Sequence, residues 1–301
     1  MTAQPEAGFR SGFACMLGRP NTGKSTLTNA LVGSKVAITS DRPQTTRHAI
    51  RGIVSRPEGQ LVLVDTPGFH RPRTLLGERL NDLVRATVAE VDVVVFCVPA
   101  TDKIGPGDRF IIDQLRAIAG QTPALAVVTK CDLAGKDVVG ERLIEVSKLA
   151  DWDEVVPVSA VDGFQVDLLA DLLLARLPQG RPLYLDDELT DAPESVMVAE
   201  LVREAALGGV RDELPHSIAV VVEEMVRSDT RIDIHAVMYV ERESQKGIVI
   251  GTGGERLRAV GTEARRHIEA LLGAQVYLDL RVKVAKDWQR DPKQLNRLGF
   301  A

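Results

Sequence analysis

Eight residues near the N-terminus have the types and the spacing of a phosphate-binding loop. Residues 18–25 read GRPNTGKS, which matches the pattern G-x-x-x-x-G-K-[ST]. Glycines in such a loop let successive backbone N–H groups face an anion, and a helix that begins there adds the positive end of its dipole. Lys24 would then reach the β- and γ-phosphates of a nucleoside triphosphate, and the Ser25 hydroxyl would ligate Mg²⁺.

A second motif, DTPG at residues 65–68, directly follows the apolar run QLVLV. A carboxylate at the tip of a strand can hold Mg²⁺ through water, and the amide of Gly68 can meet the γ-phosphate. The polar stretch 39–47 lies between the two motifs and would close over the phosphates when a triphosphate orders it. We expect Thr46 to ligate the metal, with Thr45 as the alternative. The predicted magnesium ligands are thus Ser25, Thr46 and Asp65.

Two later motifs predict the choice of base. TKCD at 129–132 follows ALAVV, and SA at 159–160 follows VVPV. The Asp132 carboxylate can accept hydrogen bonds from both N1–H and the 2-amino group of guanine, whereas adenine would leave it unpaired. The Lys130 stem can pack over the base, and the amide of Ala160 can donate to guanine O6. The motifs therefore predict GTP and GDP as ligands.

The predicted nucleotide-binding residues are Gly18, Asn21, Thr22, Gly23, Lys24, Ser25, Thr26, Asp65, Thr66, Gly68, Thr129, Lys130, Asp132, Ser159 and Ala160. Four residues are expected to act in catalysis, namely Asn21, Lys24, Thr46 and Gly68.

The elements that must position these motifs are indicated by the apolar runs FACML, QLVLVDT, VDVVVFCV, ALAVVTK and VVPVSA. They alternate with segments long enough for helices, the first over 24–32. Strands that are apolar throughout are buried on both faces, which favours an α/β fold with a mostly parallel sheet flanked by helices. The proline-rich, acidic stretch near 178–194 is typical of a linker. We therefore predict a first domain over 10–180, a linker over 181–193 and a second domain over 194–301.

The second domain has a different pattern. A helix is predicted near 194–207, a hairpin from strands at 217–226 and 231–242, and a glycine-rich turn at 251–254. Helical residues continue to about Leu272, and the alternating run AQVYLDLRVKVA predicts a last strand with one buried face. The predicted order is α, β, β, α, α, β.

Composition and charge limit the function classes. With 301 residues, 45% of them apolar and 26% charged, the chain is long enough for two cores and is not of the disordered class. The net charge of −5 is uneven, because residues 182–241 carry net −10 and residues 242–301 carry net +5. The basic end is a candidate face for nucleic-acid phosphates.

Cellular location is predicted from the cysteines and from the distribution of apolar residues. Cys15, Cys97 and Cys131 are odd in number, widely spaced and set in apolar runs, which favours reduced thiols over disulfides or zinc ligands. No apolar stretch approaches about 18 residues, and no signal pattern begins the chain. We therefore expect a cytoplasmic protein.

These motifs together resemble the Era family of GTPases. The loop GRPNTGKST, the stretch QTTRH, DTPG and VSA are similar to that family's motifs, and residues 248–261, IVIGTGGERLRAVG, resemble the IGxxGxxIKxIG core of a type II KH domain. The resemblance covers about residues 10–300. It implies a P-loop GTPase domain, with a mostly parallel sheet flanked by helices, followed by an α+β type II KH RNA-binding domain.

The resemblance also implies a function and partners. It implies an RNA-binding GTPase that binds 16S ribosomal RNA near its 3′ end and acts in assembly and maturation of the small (30S) ribosomal subunit, as a monomer and without DNA. A KH turn lets the nucleic-acid backbone approach its glycines. The RNA-binding residues that it implies are Ile250, Gly251, Thr252, Gly253, Gly254, Arg256 and Arg258.

Two positions depart from the family pattern. Thr129 stands where the family usually has asparagine, so it can support the loop through its hydroxyl but offers no amide to guanine N7. Thr252 and Gly253 form the middle of the KH turn, where a basic residue is usual. Guanine recognition then rests mainly on Asp132, and phosphate contact on Arg256 and Arg258.

The mechanism predicted from the sequence is slow hydrolysis that other factors stimulate. Phe69 follows the DTPG glycine and cannot orient water as a glutamine does there in many GTPases. Relatives with an asparagine at the position of Asn21 use it to help hold K⁺, so stimulation by K⁺ and by RNA is expected. Arg42 or Arg47, acting as a cis arginine, is the alternative.

Two other interpretations remain open from the sequence. One is a nucleotide-gated RNA-binding switch in which hydrolysis is too slow to matter. The other is a peripheral membrane GTPase whose segment 286–300 lies on anionic lipid, although we expect that segment to pack on the KH domain.

Overall fold

In a computed structural model, the chain is described over residues 8–40, 45–69, 71–208 and 214–300. Its contacts separate two units. The first contains the described residues up to Thr39, those of Thr46–Arg71 and all of Leu80–Asp191, and the second contains Ser40 and Thr45, Pro72–Arg79 and the described residues from Ala192 onward.

The first unit is built on a six-stranded sheet in the order β2-β3-β1-β4-β5-β6. Only β2 runs antiparallel to its neighbour, β3, and the other pairs are parallel. The strands are β1 Arg10–Leu17, β2 Ile50–Arg56, β3 Gly59–Asp65, β4 Val93–Pro99, β5 Ala124–Thr129 and β6 Glu154–Pro157. The helices in this part of the chain are α1 Lys24–Val32, α2 Leu75–Glu90, α3 Pro106–Ile118, α4 Lys136–Ser147 and α5 Val166–Leu174.

The sheet has an apolar core on each face, which explains why its strands are apolar throughout. In β4, Val93, Val95 and Cys97 face the core that includes α1 and α5. The alternate residues Val94 and Phe96 face the core on the side of α2, α3 and α4. A layer of helices on each face is the arrangement that such strands require. Burial raises the pKa of the Cys97 thiol to about 12, so this cysteine is an inert core residue.

Strand β2 was not predicted from the sequence. It forms a hairpin with β3, closed by residues 57–58, and its register pairs Ile53 with Val62. Its run IRGIVSR mixes apolar residues with Arg51, Gly52 and Ser55, so neither a continuous nor an alternating apolar pattern marks it. The strand forms because β3 offers it a free edge.

The second unit has a three-stranded sheet in the order β7-β8-β9, with β7 antiparallel and β9 parallel to β8. The predicted order of elements is present, with two short helices in addition, α7 and α10. The elements are α6 Glu194–Leu207, α7 Leu214–Ser217, β7 Ala219–Arg227, β8 Ile232–Val240, α8 Glu243–Ile250, α9 Glu255–Leu272, β9 Val276–Val284 and α10 Pro292–Arg297. A β-bulge between Val222 and Glu224 interrupts the β7–β8 ladder.

Helix α9 packs through one stripe. Val260, Ala264 and Ile268 are buried at a spacing of four residues, which puts them on one face of the helix. The predicted alternation in the last strand holds only in part, since Val276 is buried while Tyr277 is half-exposed and the positions after it are mixed.

The C-terminal segment packs within the second unit. Trp288, Leu295, Leu298 and Phe300 are all buried, and the Trp288 and Phe300 rings stack with centroids 5.7 Å apart. The Trp288 indole N–H donates to the Ser217 carbonyl at 3.0 Å. The apolar side chains that a lipid-binding segment would expose are therefore inside the unit.

Most of the range 181–193, which the sequence predicts to be a linker, belongs to the first unit, which ends at Asp191. We call residues 179–191 the strap, because they lie next to β2 and β3 of the same unit. The buried Gln60 side chain accepts from the amides of Leu183 and Tyr184 at 2.7 and 2.9 Å and donates to the Tyr184 carbonyl at 3.1 Å. Asp191 accepts from Arg51 at 2.7 Å and from the Tyr184 hydroxyl at 2.8 Å.

In the part of the chain that the structure describes, no helix combines the length and the apolar character that a membrane span needs.

Candidate nucleotide and RNA sites

The predicted phosphate loop connects β1 to α1. Gly18 has a φ of +156°, and a Cβ there would lie 2.6 Å from the Cys97 carbonyl oxygen, so glycine is required. Asn21 is exposed at a φ of 64°, and Gly23 at 88° precedes the first turn of α1. These left-handed residues curl the backbone before the helix begins at Lys24. Thr26 lies half-buried on α1.

Lys24 is directed along the inside of this loop. Its side chain is buried, and Nζ donates to the carbonyl oxygens of Arg19 at 2.8 Å and Gly18 at 3.3 Å. Burial lowers the pKa of the Lys24 ammonium from its ordinary value, and the nearby Asp65 carboxylate opposes that shift. The Thr22 hydroxyl also donates to the Arg19 carbonyl, at 3.0 Å, so one peptide oxygen supports both side chains.

The three predicted metal ligands lie together. Ser25 Oγ is 2.7 Å from Asp65 Oδ2 and 3.0 Å from Thr46 Oγ1, and Thr46 Oγ1 is 3.1 Å from the same carboxylate oxygen. Two hydroxyls and a carboxylate are the hard oxygen donors that Mg²⁺ prefers, so this set fits the ion. The Thr45 hydroxyl instead donates to the Ser40 carbonyl at 3.4 Å, and the geometry favours Thr46 over Thr45. Arg42, Pro43 and Gln44 lie outside the described residues.

The DTPG motif lies against the phosphate loop. Thr66 is fully buried and its hydroxyl donates to the Met16 carbonyl of β1 at 2.6 Å. A Cβ on Gly68 would lie 2.7 Å from the Pro20 nitrogen, so only glycine allows this approach. The amide that follows, that of Phe69, donates to the Gly18 carbonyl at 3.2 Å.

The TKCD motif, which is predicted to read the base, contacts the phosphate loop. The buried Thr129 hydroxyl donates to the Thr22 carbonyl at 2.6 Å, and Lys130 Nζ donates to the Asn21 carbonyl at 2.8 Å. Ser159 Oγ donates to Asp132 Oδ1 at 2.8 Å, which orients that carboxylate. Ala160 follows Ser159 in the turn after β6. Thr129 therefore keeps the loop-supporting contact although it has no amide.

In the second unit, a groove runs between α9 and the edge strand β9. Arg258 and Arg265 of α9 contribute charge, and Tyr277 contributes an aromatic ring, over which the Arg231 guanidinium lies 5.2 Å from the centroid. The side of the groove formed by β9 is the strand edge that is not paired with β8. The lining residues are Gly254, Leu257, Arg258, Gly261, Thr262, Arg265, Tyr277, Leu278, Asp279 and Leu280.

The structure separates the predicted RNA-binding residues into two groups. Gly254 and Arg258 line the groove, and Arg258 folds back on the turn, with Nη2 donating to the Gly253 carbonyl at 2.8 Å. The Arg256 guanidinium donates to the Gly208 carbonyl at 2.8 Å, away from the groove lining. The other predicted residues lie at or before the turn and do not line the groove, namely Ile250, Gly251, Thr252 and Gly253.

Two residues that line the groove, Arg265 and Tyr277, are not among the RNA-binding residues predicted from the sequence. Arg258, Thr262 and Arg265 are spaced as i, i+4 and i+7 on α9, so the helical period could have placed Arg265 beside Arg258. The helical period could not have indicated Tyr277, because the position of Tyr277 in the groove depends on the place of β9 at the edge of the sheet.

Two family models match the chain. A model described as a 50S ribosome-binding GTPase matches residues 13–130, and a KH domain model matches residues 213–289. The first model covers the phosphate loop and the DTPG motif, and the second covers most of the unit that contains the groove.

Whole-length relatives also match. GTPase Era of Mycobacterium avium (strain 104) is 67% identical over 296 residues, covering 97% of this chain and 99% of the relative. GTPase Era of Streptomyces coelicolor is 64% identical, covering 98% of this chain and 96% of the relative. The chain thus spans nearly the full length of these proteins.

Two solved structures are similar over 97% of this chain and 99% of their own, each at 36% identity and a TM-score of 0.92. One is Era in complex with MgGDPNP and nucleotides 1506–1542 of 16S ribosomal RNA. The other is an Aquifex aeolicus Era variant bound to GDP.AlF4⁻.

Proposed function

Because this chain belongs to the Era family of GTPases, we propose that it binds 16S ribosomal RNA near its 3′ end under the control of GTP. The bound state would serve assembly and maturation of the 30S subunit in the cytoplasm, with the protein acting as a monomer. The observation that carries the proposal is the presence, on one chain, of a magnesium-type oxygen cluster at a phosphate loop and a basic groove beside a KH turn. The similar Era structure with both MgGDPNP and 16S RNA supports the same pairing.

The chain is a GTPase, and its residues account for the parts of that reaction. We assign Lys24 and the backbone of the phosphate loop to the phosphates, Gly68 to the γ-phosphate, and Asp132 with Ser159 to guanine. Ser25, Thr46 and Asp65 would hold Mg²⁺, which would offset the negative charge that develops on the phosphates.

Phe69 supports a slow intrinsic rate. It is 3% exposed, its ring lies 5.7 Å from that of Phe110, and the Arg85 guanidinium lies 5.7 Å from its centroid. A side chain that is packed in this way and has no polar atom cannot orient the attacking water. Acceleration must come from another group, for which we propose K⁺ at Asn21 and bound RNA.

The groove suits single-stranded RNA. Arg258 and Arg265 would contact phosphates, Tyr277 offers a face for a base, and the leucines of α9 and β9 offer apolar walls. Single-stranded RNA is read by such a combination of backbone charge, stacking and edge hydrogen bonds. The unpaired edge of β9 supplies backbone donors and acceptors for base edges.

A second candidate function, a nucleotide-gated RNA switch that hardly hydrolyses GTP, is favoured only by Phe69. It differs from the first in one measurable quantity, the turnover of GTP with and without RNA. Peripheral membrane binding through residues 286–300 finds no support, because the apolar side chains of that segment are buried.

The test is fluorescence anisotropy of a short RNA that matches the mature 3′ end of 16S ribosomal RNA. The protein is loaded with GDP or with GDPNP, and a scrambled RNA of equal length is the control. We expect tighter binding of the matching RNA in the GDPNP state. Equal binding of the matching and scrambled RNA in both states would contradict the proposal.

A further inference from the structure

The second residue of the phosphate loop, Arg19, reaches the start of helix α3. Its Nε donates to Asp108 Oδ1 at 2.8 Å, and its Nη2 lies 3.4 Å from Asp102 Oδ2. The Asp102 side chain is 45% exposed, so that pair is screened by water and contributes little. Asp108 is fully buried, and the Arg19–Asp108 contact is therefore the strong one.

Both carboxylate oxygens of Asp108 have partners. Oδ2 accepts from the Gly105 amide at 2.8 Å, which closes the first turn of α3, and Oδ1 accepts from Arg19. The helix N-terminus favours the negative charge, and a buried carboxylate needs such partners. Gly107 gives the arginine stem room, since a Cβ there would lie 2.9 Å from Arg19 Cδ.

The backbone of Arg19 and its neighbours supports two parts of the nucleotide site. The Arg19 carbonyl accepts from Lys24 Nζ at 2.8 Å. The Gly18 carbonyl accepts from the Phe69 amide at 3.2 Å, and Gly68 lies directly on Pro20. Segment 18–20 thus contacts both Lys24 and the residues at the end of the DTPG motif, Gly68 and Phe69.

We propose that Asp108 is a positioning residue for GTP hydrolysis, which holds the Arg19 guanidinium and thereby fixes segment 18–20 beneath Lys24 and Gly68. It acts through Arg19 and does not touch the nucleotide. The GDP moiety depends more on the α1 end of the loop and on Asp132, which have their own supports in Thr129 and Ser159. Loss of the Arg19–Asp108 contact therefore affects hydrolysis more than GDP binding. The inference concerns hydrolysis and does not depend on the proposed RNA.

The test uses the full-length protein with the substitution Asp108→Asn. Asparagine keeps the size of the side chain and an acceptor for the Gly105 amide, but it removes the charge that holds Arg19. We expect the single-turnover hydrolysis rate to fall about tenfold, because small misplacements of catalytic groups are costly, while the Kd for GDP changes less than about threefold. The matched control is Asp113→Asn, which removes an exposed carboxylate from the same helix and should leave both quantities unchanged.

A double-mutant cycle separates positioning from general stability. Arg19→Gln and Asp108→Asn remove the same contact, so the double variant should hydrolyse GTP no more slowly than the slower single variant. Thermal melts of each variant show how much protein is folded at the assay temperature, and rates are compared per folded molecule. A wild-type rate in Asp108→Asn, equal losses in rate and GDP affinity, or multiplicative effects in the double variant would each overturn the proposal.

Discussion

At the scale of single residues, Thr129 makes a backbone contact that explains how the chain does without the usual asparagine. Its hydroxyl is buried and donates to the Thr22 carbonyl at 2.6 Å, which ties β5 to the phosphate loop. The Thr129 side chain therefore holds the phosphate loop in position, and Asp132 is the residue that we assign to guanine.

Thr129→Val should weaken GDP binding while leaving the preference for guanine over adenine intact. Valine has the shape of threonine but leaves the Thr22 carbonyl without its donor, which costs about 1–3 kcal/mol, or roughly a 5- to 150-fold rise in Kd. Isothermal titration with GDP and ADP measures both effects. Thr129→Ser, which keeps the hydroxyl, is the control and should bind GDP nearly as wild type does. A valine variant with unchanged Kd would show that the contact is dispensable.

We predict that Asn21 makes GTP hydrolysis depend on the monovalent cation. Its backbone is left-handed and its side chain exposed, so Asn21→Gly keeps the loop conformation and removes only the amide group. We expect wild-type hydrolysis to be several-fold faster in K⁺ than in Na⁺ at equal ionic strength, and the glycine variant to lose that difference. Phosphate release under multiple turnover measures it. Equal wild-type rates in the two salts would rule out K⁺ and favour a cis arginine such as Arg47.

At the scale of elements, helix α9 presents different residues to the core and to the groove. Arg265 lines the groove, whereas the neighbouring Arg266 is exposed but outside the groove lining. Arg265→Gln should therefore weaken RNA binding, and the slope of log K against log salt should fall by about 0.7 if one phosphate contact is lost. Arg266→Gln makes the same change in charge and serves as control. Equal losses in the two variants would mean that general charge, not the groove, binds RNA.

Several helices and strands of the fold can be predicted from the sequence, because local patterns of apolar residues mark them. The motifs of the nucleotide site each follow an apolar run, so their convergence at the carboxyl ends of a parallel sheet could be predicted. The element order of the second unit was also predictable, because its turn, helices and strands have clear periodicities.

Other features depend on contacts that no local pattern records. Strand β2 exists because β3 provides a free edge, and Asp108 meets Arg19 across 89 residues of chain. Tyr277 belongs to the groove only because β9 is the edge strand next to α9. Contacts between segments that are distant in sequence, not the local propensity for secondary structure, determine all three features.

At the scale of the whole molecule, Gln60 of β3 holds the strap against the rest of the first unit. Its side chain is 1% exposed and makes hydrogen bonds to both Leu183 and Tyr184, and to Ser55 at 3.0 Å. Gln60→Leu would leave several polar groups without partners, at a cost of about 2–5 kcal/mol in the free energy of unfolding. Urea unfolding followed by circular dichroism measures it. Ser55→Ala removes a single one of these contacts and should cost less than about 1.5 kcal/mol; equal losses would assign the effect to Ser55.

The bulge in β7 has a consequence for aggregation. An exposed strand edge invites a second molecule to extend the sheet, and a bulge with charged side chains prevents regular pairing. Glu223, Glu224 and Arg227 are exposed at or beyond the bulge, so this end of the edge offers no continuous ladder to another copy. The opposite edge, β9, has no such break and instead borders the groove. The β7 edge of the sheet is thus protected against pairing with another copy of the chain, whereas the β9 edge is accessible to a ligand in the groove.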